Sequence, residues 1–389
     1  MMAHDHHDPA TREHRPGGWN RVVVKLGSHA VVDADGRIDE GRCRAYVDQM
    51  IKLHRSGVDV ICVSSGAVAA GLSDLGLAQR PTDLPSLQAA AAIGQARLVE
   101  RYRQYFQAAD IRVAQVLLIH DDLRHRERHL NARYTLERLL QARIVPIINE
   151  NDTVSVAEMR FGDNDALSAL VAMLLHADAL VMLTNTDGIL DFTTAVDGER
   201  VPFAVGVSNA IRELVQPGQS SFGRGGMMSK LDAADMVTSC GACCHIAHAE
   251  MPDVLTRLWE GESVGTTFAP AERRLSPRKR WIAFFDHPQG TVRLDDGAVE
   301  AVRDRGRSLL AVGVVAVDGT FDRGAPVRLV DSSGREIGRG LTSFDADDLR
   351  AIAGQASEAI DRILGRCEYA EVIHRDNLAL TASADEPRD

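Results

Sequence analysis

The sequence predicts an α/β protein with a mainly parallel sheet sandwiched by helices, followed by a small C-terminal domain that is mostly β. Three observations predict it. Over the first two-thirds of the 389 residues, short β-branched runs that are apolar throughout alternate with longer amphipathic stretches, as expected of strands covered on both faces. Polar and glycine residues gather just after those runs, where ligands collect in such sheets. Near residue 270 the texture changes to short strands punctuated by turn signals.

The elements follow in order. "RVVVKLG" (21–27) reads as a strand entering a glycine turn, and "DEGRCRAYVDQMIKLHRSG" (39–57) as a helix stopped by Gly57. "VDVICVSSGAVAAG" is a strand that turns into a helix. The long helical region "SLQAAAAIGQARLVERYRQYF" comes next, then the strand "VAQVLLI", the helix "HLNARYTLERLLQAR" and the strand "IVPIIN". A helix over 164–176, the strand "ALVMLT", the helix "MMSKLDAADMVTSCG" and the strand "CHIAHA" complete the large domain. The basic, Pro-containing "ERRLSPRKRW" reads as a linker. Beyond it, turn signals at Asp318-Gly319, Arg323-Gly324 and Ser333-Gly334 separate the strands of a small barrel. The expected layout is a disordered polar tail over 1–18, a large domain over 19–270, the barrel over 276–375 and a flexible tail over 376–389.

Bulk properties narrow the function classes. A net charge of -11 opposes non-specific binding to nucleic acid or to an anionic membrane. No apolar run approaches the roughly 20 residues of a membrane span, and the first twenty residues lack a secretory h-region. With six cysteines, this points to the cytoplasm. Cys240 and Cys243 have the spacing of half a zinc site, but no second pair accompanies them, so no metal held directly by protein ligands is expected.

The turns after the strands carry the chemistry. Lys25 ends a buried strand beside Gly27 and can aim an ammonium at the ligand edge of the sheet. Ser65, Gly66 and Ala67 place backbone N–H groups at a helix N-terminus, a natural anion site. In "SFGRGGMMSKL", glycines precede the helix-borne Lys230 without matching the Walker spacing; such an arrangement can still cradle phosphate oxygens. Asp152, Asp163 and Asp165 can orient lysines, receive a substrate ammonium, or hold Mg2+ through water. Asn149 and Asn164 offer donors and acceptors suited to an amino-acid backbone. Taken singly, each motif also fits a tight turn or a surface loop. Together, two lysines, a glycine-rich segment, a helix N-terminus and a carboxylate group suggest phosphoryl transfer.

Motifs in order along the chain carry a resemblance. They are "VVKLGS" (23–28), "VSSGAVAAG" (63–71), "AAIGQARL" (91–98), "RERHLNAR" (126–133), "IVPIINEND" (144–152), "FGDNDALSA" (161–169), "GRGGMMSKL" (223–231), "SVGTTF" (263–268), "RKRWIAF" (278–284), "GRSLLAVGV" (306–314) and "DDLRAIAG" (347–354). With them the chain resembles the glutamate 5-kinase family, amino acid kinases that carry a C-terminal PUA domain.

The resemblance implies an amino acid kinase fold with a PUA-like barrel. It also implies ATP- and Mg2+-dependent phosphorylation of the γ-carboxylate of L-glutamate, opening proline biosynthesis. By carry-over, Lys25 and Lys230 stabilise the transferring phosphoryl group and Asp165 holds the lysines. Ser65, Asp152 and Asn164 bind glutamate, with Ser28, Gly66, Ala67 and Asn149 beside them. Gly27, Thr184, Asn185, Arg224, Gly225, Gly226 and Met227 lie along the nucleotide with Lys25 and Lys230. The magnesium arrives with ATP. Three positions depart from the family's pattern, all on the nucleotide side: Asn185 after Thr184, Arg224 in the glycine segment, and "ILDFTTAVDGERVPF" (189–203). Proline as a feedback inhibitor and a homodimer or homotetramer are further implied, while a glutamyl-phosphate reductase is expected because an acyl phosphate must be consumed quickly. The alternatives are a kinase of another small amino acid or carboxylate, and a catalytically weak regulatory protein binding glutamate or proline.

Overall fold

The computed structural model describes residues 18–33, 37–77, 80–124, 126–154, 164–193, 198–215, 224–271, 276, 279, 281–285, 288–365 and 371–380. The chain divides into two compact units, with the main boundary between Glu272 and Arg273. The terminal tail over 1–17, most of the basic linker and the hairpin-like stretch 155–163, with Asp163, lie outside the described residues.

The first unit is built on one sheet of eight strands. In chain order these are β1 (Arg21–Leu26), β2 (Asp59–Ser64), β3 (Val113–Leu118), β4 (Val145–Glu150) and β5 (Ala179–Thr184). The two-residue strands β6 (Leu190–Asp191) and β7 (Glu199–Arg200) form a separate small ribbon. They precede β8 (Phe203–Val205), β9 (Cys243–His248) and β10 (Thr266–Ala269). The sheet order is β3-β4-β2-β1-β5-β9-β10-β8, and every pairing is parallel except β9 with β10. The four central strands β1, β2, β4 and β5 are almost wholly buried, in keeping with their unbroken apolar runs. Edge strand β3 is half exposed, so its apolar residues are covered on only part of one face.

The helices are α1 (Ser28–Val31), α2 (Glu40–Arg55), α3 (Ala67–Leu72), α4 (Leu84–Gln107), α5 (His120–Arg124), α6 (Arg126–Gln141), α7 (Asn164–Leu174), α8 (Asn209–Glu213), α9 (Arg224–Ser239) and α10 (Val254–Trp259). Asp39 and Asp83 cap α2 and α4, each accepting from a backbone N–H three residues on. As expected, α2 ends at a glycine: Gly57 has φ 89°. At the head of β1, buried Arg21 donates to Glu137 of α6 (2.9 Å) and Asp59 of β2 (3.1 Å), tying three elements at the sheet edge away from the ligand side.

Helices α3 and α4 touch backbone to backbone. A Cβ built on Gly94 would stand 1.8 Å from the Ala67 carbonyl oxygen, and one on Gly71 would stand 2.0 Å from that of Ala90. These glycines are therefore required by close approach, and the approach fixes where α3 begins, directly after Ser65 and Gly66.

The second unit holds β11 (Gly290–Leu294), β12 (Val314–Gly319), β13 (Pro326–Val330), β14 (Glu336–Leu341) and β15 (Leu378–Leu380) in the order β12-β11-β13-β14-β15. Gly319, Gly324 and Gly334 have φ between 85° and 95°, as their turns require. Its core includes Val292, Leu294, Val327, Leu329, Leu349, Ile360 and Ile373. The mostly β character expected of this domain is borne out, its strands forming one sheet with β12 and β15 at the ends. One expectation needs correction. The tail expected from 376 starts as structure: Leu378 and Ala379 are buried, and β15 pairs with β14 over Gly338–Gly340. No helix among the described residues is long and apolar enough to cross a membrane.

Candidate active site

Parallel register brings the carboxyl ends of β1, β2, β4 and β5 into one row. Leu26 pairs with Ser64 on one side and Leu183 on the other, and Val63 pairs with Ile148. Lys25, Ser65, Asn149 and Thr184 therefore issue from neighbouring positions along a single edge. Helices α7 and α9 supply the remaining groups.

The centre of the site is a buried triad. Lys25 Nζ lies 2.6 Å from Asp165 Oδ1, and Lys230 Nζ donates to Asp165 Oδ2 at 3.0 Å. Lys25, Asp165 and Lys230 are 6%, 4% and 8% exposed. The Ser229 hydroxyl donates to the same Asp165 Oδ2 at 2.8 Å, and Lys230 also donates to the Gly226 carbonyl at 2.9 Å. Burial pushes the Asp165 carboxyl up, but the two ammonium groups and their hydrogen bonds outweigh it and hold the carboxyl below its ordinary value. Two lysines and one carboxylate leave the triad with a formal charge of +1, buried where a phosphate would be neutralised strongly. Gly27 is small for a local reason: a Cβ there would meet the Leu183 carbonyl oxygen at 3.3 Å and the Lys25 ammonium at 3.7 Å.

One residue before Asp165, Asn164 belongs to a second cluster. Its Nδ2 donates to Ser65 Oγ (2.8 Å), to Asn149 Oδ1 (3.0 Å) and, at a longer 3.4 Å, to the Ser64 carbonyl. Asn149 Nδ2 in turn donates to Gln95 Oε1 at 2.7 Å. Beneath them, the Ser64 and Tyr102 hydroxyls are 2.8 Å apart. Asp152 follows β4 in a half-buried position, where burial raises its carboxyl to about 6 against the opposing pull of Arg80.

The expected site residues thus fall into three sets. Lys25, Lys230 and Asp165 are joined by ion pairs, and Ser65, Asn149 and Asn164 by hydrogen bonds. Ser28, Gly66, Ala67, Asp152, Thr184, Asn185 and Met227 are placed on the same edge by register or helix end. Gly66 has φ 101°, which only glycine adopts readily. Ser65 does not offer its backbone N–H to a ligand, because that group donates to the Leu26 carbonyl; its hydroxyl is the available group. The glycine segment also differs from expectation. Helix α9 already starts at Arg224, so Arg224, Gly225, Gly226 and Met227 form its first turn rather than a loop before it. No acidic residue occupies that turn, which leaves its N–H groups and the helix dipole suited to an anion. Sequence reasoning missed Ser229, which sits directly before Lys230, and Gln95, which lies in the quoted motif "AAIGQARL".

Comparison with known proteins places the chain. Residues 20–248 match the amino acid kinase family and residues 290–364 match the PUA domain. Proteins named glutamate 5-kinase are similar over nearly the whole chain. That of Chromohalobacter salexigens is 47% identical, covering 92% of this chain and 96% of its own. Those of Pseudomonas paraeruginosa and Teredinibacter turnerae are 45% and 44% identical, each covering 93% of this chain and 98% and 97% of their own. The chain belongs to the glutamate 5-kinase family.

Within this glutamate 5-kinase family member, the departures noted in the sequence lie at the end of β5, at the start of α9 and in the chain that follows β5. Asn185 is exposed at the end of β5, and Thr184 Oγ1 reaches its side-chain oxygen at 3.4 Å. Arg224 opens α9; its side chain lies outside the described residues. The divergent 189–203 segment supplies the β6–β7 ribbon and ends at Phe203, the first residue of edge strand β8. No group of three or more His, Cys, Asp and Glu able to hold a metal occurs among the described residues.

Proposed function

We propose that this chain transfers the γ-phosphoryl group of ATP to the side-chain carboxylate of L-glutamate, giving glutamyl 5-phosphate, the first step of proline biosynthesis. One observation carries the reading. At the start of α7, Asn164 faces a carboxamide pocket while the next residue, Asp165, holds two buried lysines. A pocket for an amino acid and a cationic centre for a phosphoryl group therefore meet across a single peptide bond.

The acceptor carboxylate, with an ordinary pKa of about 4.3, is already ionised at neutral pH, so no general base is needed. Its oxygen attacks the γ-phosphorus, the new O–P bond forms, and the bond to ADP breaks with its electron pair on ADP. No proton is transferred. Catalysis is then alignment and charge neutralisation. Lys25 and Lys230 face the transferring group, and Asp165 keeps both extended towards it. The α9 first turn, Gly27, Thr184 and Asn185 line the nucleotide. Because Asp165 is already engaged by two lysines and a serine, Mg2+ is assigned to the phosphates of ATP, whose charge it offsets when bound. The acyl phosphate product is labile, which places a consuming reductase downstream.

Asp152 is proposed to receive the substrate α-ammonium, and only its ionised form can. With its carboxyl raised to about 6 by burial, the KM for glutamate is expected to rise about tenfold per pH unit below 6 and to level off above 7. Glutamate KM measured from pH 5 to 8 checks this, and an Asp152→Asn variant should lose the dependence. The same burial destabilises the fold by about 3 kcal/mol at neutral pH. That penalty is absent below the unfolded pKa, grows as pH rises from there towards 6, and is constant above it.

The reading is tested with wild-type protein, MgATP, L-glutamate and hydroxylamine. The expected result is γ-glutamyl hydroxamate formed in step with ADP. Absence of glutamate-dependent hydroxamate and ADP at saturating nucleotide would overturn it.

A further inference from the structure

The carboxamide network has a direction, and its far end lies on a residue outside the substrate set. Gln95 is on α4 next to Gly94, whose missing side chain lets the helix approach α3 closely enough for Gln95 to reach β4. Its Oε1 accepts from Asn149 Nδ2 at 2.7 Å. Asn149 is thereby turned so that Oδ1 faces Asn164, from which it accepts at 3.0 Å. Asn164 must present nitrogen on that side, where the Ser64 carbonyl, an acceptor only, also sits. What remains of Asn164 is Oδ1, buried and without a hydrogen-bond partner among the described residues. What remains of Ser65, whose oxygen accepts from Asn164, is a hydroxyl proton.

We propose that Gln95 is a positioning residue that sets the polarity of the acceptor pocket, so that Asn164 offers an oxygen to an ammonium group. Energetics favour this over a purely structural role. Gln95 Nε2 is itself buried without a partner among the described residues. The cost of such a donor is at least as large as the gain from the single bond to Asn149, so the hydrogen bonding of the glutamine itself adds little net stability. Its use lies in the direction it imposes. Without an acceptor at position 95, Asn149 Nδ2 is left unpaired and the amide turns over. Asn164 then loses the Asn149 acceptor and, among the described residues, is held only by the Ser65 hydroxyl and the long 3.4 Å contact to the Ser64 carbonyl, so that its nitrogen is free to turn towards the substrate's ammonium.

The inference rests on the proposed glutamate pocket and is tested with Gln95→Met, which keeps length but removes the acceptor, and Gln95→Glu, which keeps an acceptor. Three quantities are measured in each: KM for L-glutamate, KM for ATP, and the inhibition constant of glutarate, which lacks the α-ammonium. In Gln95→Met, glutamate KM is expected to rise about 10- to 100-fold, with ATP KM and glutarate inhibition within about threefold of wild type. Gln95→Glu is expected to stay within about threefold in all three. An unchanged glutamate KM in Gln95→Met overturns the proposal, as does a parallel loss for glutamate and glutarate. Should Gln95→Met fail to fold, Gln95→Glu decides alone, a rise beyond tenfold counting against the proposal. An inactive wild type would instead overturn the glutamate reading itself.

Discussion

Lys230→Ala is expected to lower kcat about a hundred- to ten-thousand-fold while leaving KM for glutamate within about threefold. The split follows from where the lysine sits. It bonds to Asp165 and to its own helix, at the Gly226 carbonyl, and to nothing in the carboxamide pocket among the described residues. Its effect falls on the transferring phosphoryl group, whose charge is greatest in the transition state. Folding should survive the change, because Asp165 keeps Lys25 at 2.6 Å and the Ser229 hydroxyl at 2.8 Å. The triad's formal charge drops from +1 to zero without stranding a carboxylate. Steady-state kinetics beside a denaturation curve will separate the two effects. A KM rise that accounts for the whole loss would show that Lys230 acts on binding and not on the transition state.

Gly94→Ala sets two effects against each other. In an unconstrained helix, alanine is favoured over glycine by about 1 kcal/mol. Here the new Cβ would stand 1.8 Å from the Ala67 carbonyl oxygen and 2.6 Å from the Gly71 nitrogen. Neither atom is the end of a flexible side chain, so α3 and α4 must separate. Overpacking of this kind costs about 1–3 kcal/mol even where side chains can adjust, and backbone contact places this case at or beyond the upper end. The expected net is a loss of about 2–3 kcal/mol in urea unfolding, accompanied by weaker glutamate binding because α3 carries Ser65 and Gly66 at its head. A gain in stability of about 1 kcal/mol would mean that propensity wins and that the helix contact is not tight.

Much of the site was legible because its residues end strands. Lys25, Ser65, Asn149 and Thr184 follow apolar runs, and in a parallel sheet such positions share an edge whatever their separation in sequence. Asn164 and Asp165 announced themselves by density of polar groups before an apolar helix. Gln95 carries no such mark. It lies mid-helix and 54 residues from its partner Asn149, so only the α3–α4 crossing reveals its reach. The first turn of α9 was read as a loop because glycines are poor in helix interiors. At a helix start, where N–H groups lack intrahelical partners anyway, they are tolerated. Strand β15 was missed because "LAL" is three residues within a polar tail and has no periodicity to detect; its pairing with β14 alone defines it.

The central claim is that one buried carboxylate holds two lysines in place for phosphoryl transfer. Asp165→Asn tests it most directly, since it keeps shape and removes only charge. Two ammonium groups within 3.0 Å of the former carboxylate would then face each other across an amide, and breaking such a buried network costs about 3–5 kcal/mol. The measurement is kcat for hydroxamate formation by the folded variant at saturating glutamate and MgATP, below its melting temperature. The account predicts a fall of at least about a thousandfold. A kcat within tenfold of wild type would contradict it.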